Sequence, residues 1–331
     1  CNLPLCCTSN GECSMREIGG FLELENNHGH EFHENGIALN SGRNCLRFLL
    51  RAREIRKIWL PQLLCSAISD TCKEENVEIK YYPVNGQLKP ILTSVPRNEW
   101  IYLINYYGQY SDTEISSYCK QYRNVIVDNA QAFYSQPIVD VDTIYTCRKF
   151  FGVPDGGYLY TTCKYKKELA QDESFERLQF LAGRFERSAQ EFYGAYRNNE
   201  DVIDTLPLKA MSKITHNLLR GVDYAVDASI RERNFSHLHQ ELKAINQIEV
   251  TLPAGPYMYP FYAKNGANLR QKLQREKIYI PLLWPNVKED LCSEDSEYQL
   301  ANNILPLPCD QRYTVEDMEY VIGKIKGLEN S

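Results

Sequence analysis

Between Ile37 and Thr161 the chain switches repeatedly between short apolar runs of strand length and longer stretches with helical spacing. This alternation limits the fold more than any other property. Strand–helix–strand units in series bury well as a mainly parallel sheet with helices on both faces. Asn44–Glu54 (NCLRFLLRARE) sets apolar residues at Leu46, Leu49 and Leu50, a helical repeat. A strand at Lys57–Leu60 ends at Pro61, a helix surrounds Ser66–Glu75, and Val77–Tyr82 is the next strand. Trp100–Tyr106 is apolar almost throughout, as suits a strand covered on both faces. Glu114–Tyr122 is helical, and Asn124–Val127, Thr143–Tyr145 and Gly157–Thr161 complete the strands.

After about Tyr165 the character changes. Glu168–Glu200 and Met211–Leu242 read as two long polar helices with Pro207 between them. From Ile248 to Gly327 short strands mix with helices at Asn268–Glu276 and Val315–Lys326, in a segment that holds most of the prolines. The expected organisation is an N-terminal leader or arm over residues 1–35, a large domain over 36–225 and a small α+β domain over 226–331.

Charge and composition remove several classes of function. A formal net charge of -6 over 331 residues leaves no basic stripe to follow a phosphate backbone, so no nucleic acid is expected. No apolar run approaches the roughly 20 residues of a membrane span, so a soluble protein without a membrane partner is expected. Of twelve cysteines, Cys1, Cys6, Cys7 and Cys13 crowd the first fourteen positions and the rest are scattered. Scattered cysteines in a chain this long read as reduced, buried small hydrophobes, which points to the cytoplasm. Joining the N-terminal cysteines to His28, His30 and His33 fits no familiar zinc spacing, and no metal is expected.

Three segments that follow strands carry chemistry, at the place where open α/β sheets gather ligands. Ser41-Gly42-Arg43 opens a helix, whose free N–H groups suit a phosphate, although Ser-Gly there is also a plain N-cap. Val125-Ile126-Val127 delivers Asp128 at a strand end, either to hold a pyridinium nitrogen protonated or to cap the next helix. Thr146-Cys147-Arg148-Lys149-Phe150-Phe151 sets a lysine among apolar neighbours. Desolvation and a cation such as Arg148 would free its amine for Schiff-base chemistry, and Thr146 offers phosphate a hydroxyl. The plain alternative is a loop lysine that reaches solvent.

The order Asn40-Ser41-Gly42, Asn105-Tyr106-Tyr107-Gly108-Gln109, Asp128-Asn129-Ala130-Gln131 and Lys149 followed by Asp155-Gly156-Gly157 resembles the DegT-type sugar aminotransferases. Leu305-Pro306-Leu307-Pro308, followed by a helix from Thr314, is similar to that family's closing segment. The resemblance implies the fold type I architecture of pyridoxal 5'-phosphate (PLP) enzymes: a mainly parallel central sheet flanked by helices, with a smaller C-terminal α+β domain. It implies PLP held as an imine on Lys149, Asp128 facing the pyridine nitrogen, and Gln131 near the ring hydroxyl. Ser41, Gly42 and Arg43 would hold phosphate, with Thr146 standing in for a family serine, and Cys65 takes the position of the aromatic that stacks on the ring. It further implies a homodimer with the site at the interface, an amino donor such as glutamate, and a keto-sugar or other small carbonyl acceptor. The chain departs from the family where Arg43 replaces a threonine and Ile144 replaces the serine, and no Gly-x-Asn-x-Arg segment follows residue 165. The alternatives are a PLP-dependent lyase or aldolase and a non-catalytic binding relative. Family dehydratases carry histidine in place of the lysine, and Lys149 argues against that branch.

Overall fold

A computed structural model describes Leu5–Cys7, Cys13–Met15 and residues 18–329. Strands β1 (Leu5–Cys7) and β2 (Cys13–Met15) pair antiparallel. The side chains of the N-terminal cysteine cluster lie outside the described residues. The core begins with β3 (Ile37–Leu39), α1 (Gly42–Ala52), β4 (Lys57–Pro61), α2 (Ser66–Glu74) and β5 (Glu78–Tyr82). Then come β6 (Trp100–Ile104), α3 (Asp112–Gln121), β7 (Val125–Asp128), β8 (Asp142–Thr146) and β9 (Gly157–Tyr160). Seven strands form one sheet in the order β3-β9-β8-β7-β6-β4-β5. All neighbours from β5 to β8 are parallel, and β9 runs antiparallel to both β8 and β3.

The pattern of burial explains the sheet. All four residues of β7 are buried, as are Ile101–Ile104 of β6, so both strands are covered on two faces. Helix α1 turns Cys45, Leu46, Phe48, Leu49 and Leu50 inward against β8 and β9. Each such side chain contributes about 1.5–3 kcal/mol on leaving water. Arg47 on the same helix is buried because Glu74, the last residue of α2, and Glu75, which follows it, answer its guanidinium.

The two long helices expected after Tyr165 are broken, a correction to the sequence reading. The first becomes a 3₁₀ turn (Phe175–Arg177), α4 (Gln179–Glu186) and α5 (Tyr193–Thr205). Phe192 lays its ring where a Cβ on Gly183 would stand, 2.3 Å away, so the chain doubles back and the two helices pack together. The second divides into α6 (Lys213–Arg220) and α7 (Tyr224–Leu242), with Asp223 capping α7 through the Val226 N–H at 3.1 Å. The N-terminal segment passes over this break, where Asn27 bonds Asn217 at 2.8 and 2.9 Å.

The remainder contains β10 (Tyr259–Tyr262), α8 (Gly266–Arg275), α9 (Val287–Asp290), α10 (Ser296–Asn303), β11 (Ile304–Leu307) and α11 (Val315–Glu329). Strands β10 and β11 form a separate antiparallel pair in which Pro260 faces Pro306, a placement open only to strands with free edges. No helix among the described residues is long and apolar enough to cross a membrane.

Candidate functional site

The carboxyl ends of β6 and β7 are tied together first. Asn105 donates to the Asn129 side chain at 3.0 Å and accepts from the Tyr110 N–H at 3.0 Å, while its own N–H reaches the Asp128 carbonyl. Asp128 is 6% exposed. One of its carboxylate oxygens accepts from the Ala130 N–H at 2.8 Å, and the Tyr102 hydroxyl donates to it as well. Burial nevertheless pushes the carboxyl above its ordinary range, with the Lys149 ammonium pulling the other way. Because β7 and β8 are parallel neighbours, positions 128 and 149 lie at the same end of the sheet.

The lysine turn follows β8. Cys147 accepts the N–H groups of Phe150 and Phe151 at 2.9 Å, and Gly156, at φ +115°, returns its carbonyl to the Cys147 N–H. Cys147, Phe150 and Phe151 are buried, yet Lys149 is exposed. The expectation of a desolvated lysine is thus corrected: the tight turn drives its neighbours inward and leaves this one side chain outside, its ammonium 5.8 Å from the Tyr257 ring centre. Arg148 is also not a free cation beside the amine, because Glu200 pairs with it. Burial lowers the basicity of that guanidinium, and Asp204 and Asp155 oppose the effect.

The start of α1 lies beside this turn. Ser41 caps the helix, its hydroxyl oxygen accepting from the Asn44 N–H at 3.1 Å. The first-turn N–H groups of Gly42 and Arg43 remain outside the helical ladder. A Cβ on Gly42 would lie 3.5 Å from the Cβ of Thr146, and one on Gly157 would lie 2.8 Å from the Gly42 nitrogen. Only glycine at 157 lets β9 approach the helix start this closely. Ser41, Gly42, Arg43 and Thr146 are consequently neighbours. Arg43 turns to α5, donating to Asp204 Oδ1 at 2.7 Å and to its backbone carbonyl at 2.5 Å.

Two other positions sit differently from one another. Gln131 is buried, and its Oε1 accepts from the Tyr107 N–H at 2.9 Å, which leaves its NH₂ available. Tyr107 holds a left-handed backbone at φ +53° to make that bond. Cys65 is exposed at the head of α2. Gln109 stands apart from the strand-end cluster, bridging the Thr251 N–H and carbonyl at 2.7 and 2.9 Å. It helps line a cleft of about 1040 Å³ with Lys89, Glu114, Lys243 and Pro253, a cleft that neither Asp128 nor Lys149 lines.

Sequence reasoning missed the support behind the lysine. Arg231 of α7 is 1% exposed and donates to the Phe150 carbonyl at 2.9 Å and to the Pro256 and Tyr257 carbonyls at 2.9 and 3.4 Å. Gln311 donates to the same Phe150 carbonyl at 3.0 Å. Asp155 is fully buried and accepts from Ser212 at 3.0 and 3.2 Å and from the Thr215 hydroxyl. These partners lie many residues from the lysine turn, and no local pattern announces them.

No family model matches the sequence. No curated protein matches it either. Solved structures do. A DegT DnrJ EryC1 StrS aminotransferase from Brucella abortus is 16% identical with a TM-score of 0.58, over 89% of this chain and 86% of that one. NtdA from Bacillus subtilis, with bound cofactor PMP, is 15% identical at a TM-score of 0.63, over 89% and 73%. The sugar aminotransferase CalS13 from Micromonospora echinospora is 13% identical at 0.60, over 89% and 87%. The chain therefore has the fold of the DegT/DnrJ/EryC1/StrS aminotransferases, the fold type I architecture with its mainly parallel seven-stranded sheet.

Proposed function

We propose that the protein is a PLP-dependent aminotransferase that holds its cofactor on Lys149 and moves an amino group from a donor such as glutamate to a keto-sugar or another small carbonyl acceptor. The observation that carries this reading is that parallel neighbours β7 and β8 bring buried Asp128 and Lys149 to one end of the sheet. The donor set fits the group. Burial leaves the Asp128 carboxylate short of positive charge, so a pyridinium would satisfy it, and the Gly42–Gly157 approach keeps the α1 N–H groups open beside Thr146.

When bound, PLP supplies an electron sink for negative charge at the carbon next to the transferred nitrogen. Asp128 would keep the ring nitrogen protonated. The Lys149 Nζ would take the proton from the donor's α-carbon and return it one atom away, a general acid–base role worth about 10²–10⁴-fold. Ser41, Gly42, Arg43 and Thr146 would hold the phosphate, the Gln131 amide would face the ring hydroxyl, and Cys65 would lie against the ring. The exposure of Lys149 on the lone chain supports a homodimer whose second copy shields the site from water.

Titrating the purified protein with PLP should raise the imine absorbance band, and borohydride reduction with peptide mapping should put the pyridoxyl mass on Lys149. Adding the right amino donor without acceptor should bleach the band and leave one pyridoxamine phosphate per chain. A label on another lysine would sink the site. Cleavage of a compound with the cofactor still an aldehyde would replace the transferase by the lyase or aldolase reading.

A further inference from the structure

Helix α5 brings one face to the candidate site. Tyr196, Glu200 and Asp204 recur every four residues and so share that face. Asp204 holds Arg43 at 2.7 Å and Glu200 holds Arg148. Arg148 also lies within the fields of Tyr196 and Asp204, and the two ion pairs drawn from one face of α5 make the two guanidiniums and the two carboxylates one cluster. Arg43 begins α1 next to Gly42 and Thr146, and Arg148 immediately precedes Lys149. Arg43 Nε is buried with no partner, a donor the pair with Asp204 leaves unused. The rest of α5 is loosely held: Asn199 and Ile203 are its buried residues, while Tyr193 and Tyr196 are 59% and 40% exposed.

We propose that Arg43 and Arg148 together hold a phosphate monoester at the start of α1, and that Glu200 and Asp204 are internal counter-ions which the phosphate displaces. The identity of that ester as PLP rests on the proposed function; the exchange of anions does not. Guanidinium forks match phosphate oxygens in pairs, and the helix start adds N–H groups that a carboxylate from α5 does not reach. Phosphate carries nearly two negative charges at neutral pH against one for each carboxylate. Partly exposed ion pairs such as Arg43–Asp204 are weak, so the dianion wins the arginines. Helix α5 then acts as an electrostatic strap, closed on the empty protein and loosened by the ligand.

The test compares the full-length protein with Glu200→Gln, Asp204→Asn, the double variant and Arg148→Met. PLP affinity is read by equilibrium dialysis, with pyridoxal, which lacks the phosphate, as control. Removing both carboxylates should tighten PLP by about tenfold and leave pyridoxal unchanged, whereas Arg148→Met should weaken PLP by about tenfold. Unchanged or weaker PLP binding in the double variant would overturn the proposal, since Glu200 and Asp204 would then be supports of the site. If wild-type protein forms no imine with PLP, the aminotransferase reading fails on its own. Inorganic phosphate then decides the exchange: against chloride at equal ionic strength, it should raise the melting temperature of the double variant more than that of wild type. Equal shifts refute it.

Discussion

Strand β7 and helix α5 approach the same site by opposite means. Every residue of β7 is buried, and Asp128 is held there by packing, by the Ala130 N–H and by Tyr102. Helix α5 meets the site through ion pairs from a helix whose aromatic residues face solvent. The contrast teaches a division of labour. Asp128 is fixed by apolar burial, which salt barely touches, while the α5 carboxylates are held by charge, which salt and competing anions can outbid.

The strongest way to break this contrast is Ile126→Ala, which removes a fully buried side chain next to Asp128. It should lower unfolding free energy by about 3 kcal/mol in urea titrations, with cofactor affinity falling because β7 loosens. A loss below about 1 kcal/mol would show that packing does not fix this strand.

His33 tests the packed side through pH. Burial against Tyr145 depresses its imidazole from 6.5 to about 4, the hydrogen bond to the Phe133 carbonyl opposing the effect only in part, so the folded protein keeps it neutral. The unfolded chain takes up the proton near 6.5, and the stability His33 contributes above that pH is lost as pH falls toward 4. By pH 5 the loss should reach about 2 kcal/mol, and His33→Gln should flatten the fall in urea midpoint between pH 7.5 and 5.

Asp128 sharpens the comparison further. Because burial raises its carboxyl, stability present at low pH is lost as pH climbs through the raised value. Asp128→Asn should therefore raise the melting temperature of the cofactor-free protein at pH 7 by about 2 °C while slowing donor-driven bleaching severely. At pH 3.5 the stabilisation should vanish. The smallest effect belongs to α4, the helix packed beside α5: Phe185→Ala, at a side chain 93% exposed, should shift stability by less than about 0.5 kcal/mol.

The strands were readable because burial on two faces writes a continuous apolar run, as at Trp100–Ile104 and Val125–Val127. The placing of positions 128 and 149 at one end of the sheet was readable because the strands that lead to them, β7 and β8, were legible as parallel neighbours. The break between α4 and α5 was not, since Phe192 packing on Gly183 is a tertiary event inside a continuous polar helical pattern. Nor was the exposure of Lys149, because apolar neighbours in sequence become inward neighbours only once the turn at Cys147 closes. Ser41 caps α1 through the Asn44 N–H, a geometry that a helix start needs whether or not it holds an anion, so sequence alone left both readings standing.

The two hydrogen bonds that the Phe150 carbonyl accepts, from Arg231 and Gln311, have a consequence for how the protein is made. All seven strands of the main sheet have been synthesised once Tyr160 is added, yet the two donors arrive 81 and 161 residues after Phe150. At roughly 5–20 residues per second, the second donor trails by about ten to thirty seconds. Throughout that interval a ribosome-bound chain carries the lysine turn without its final brace. The Phe150 carbonyl is fully braced only when the far end of the chain folds back to it.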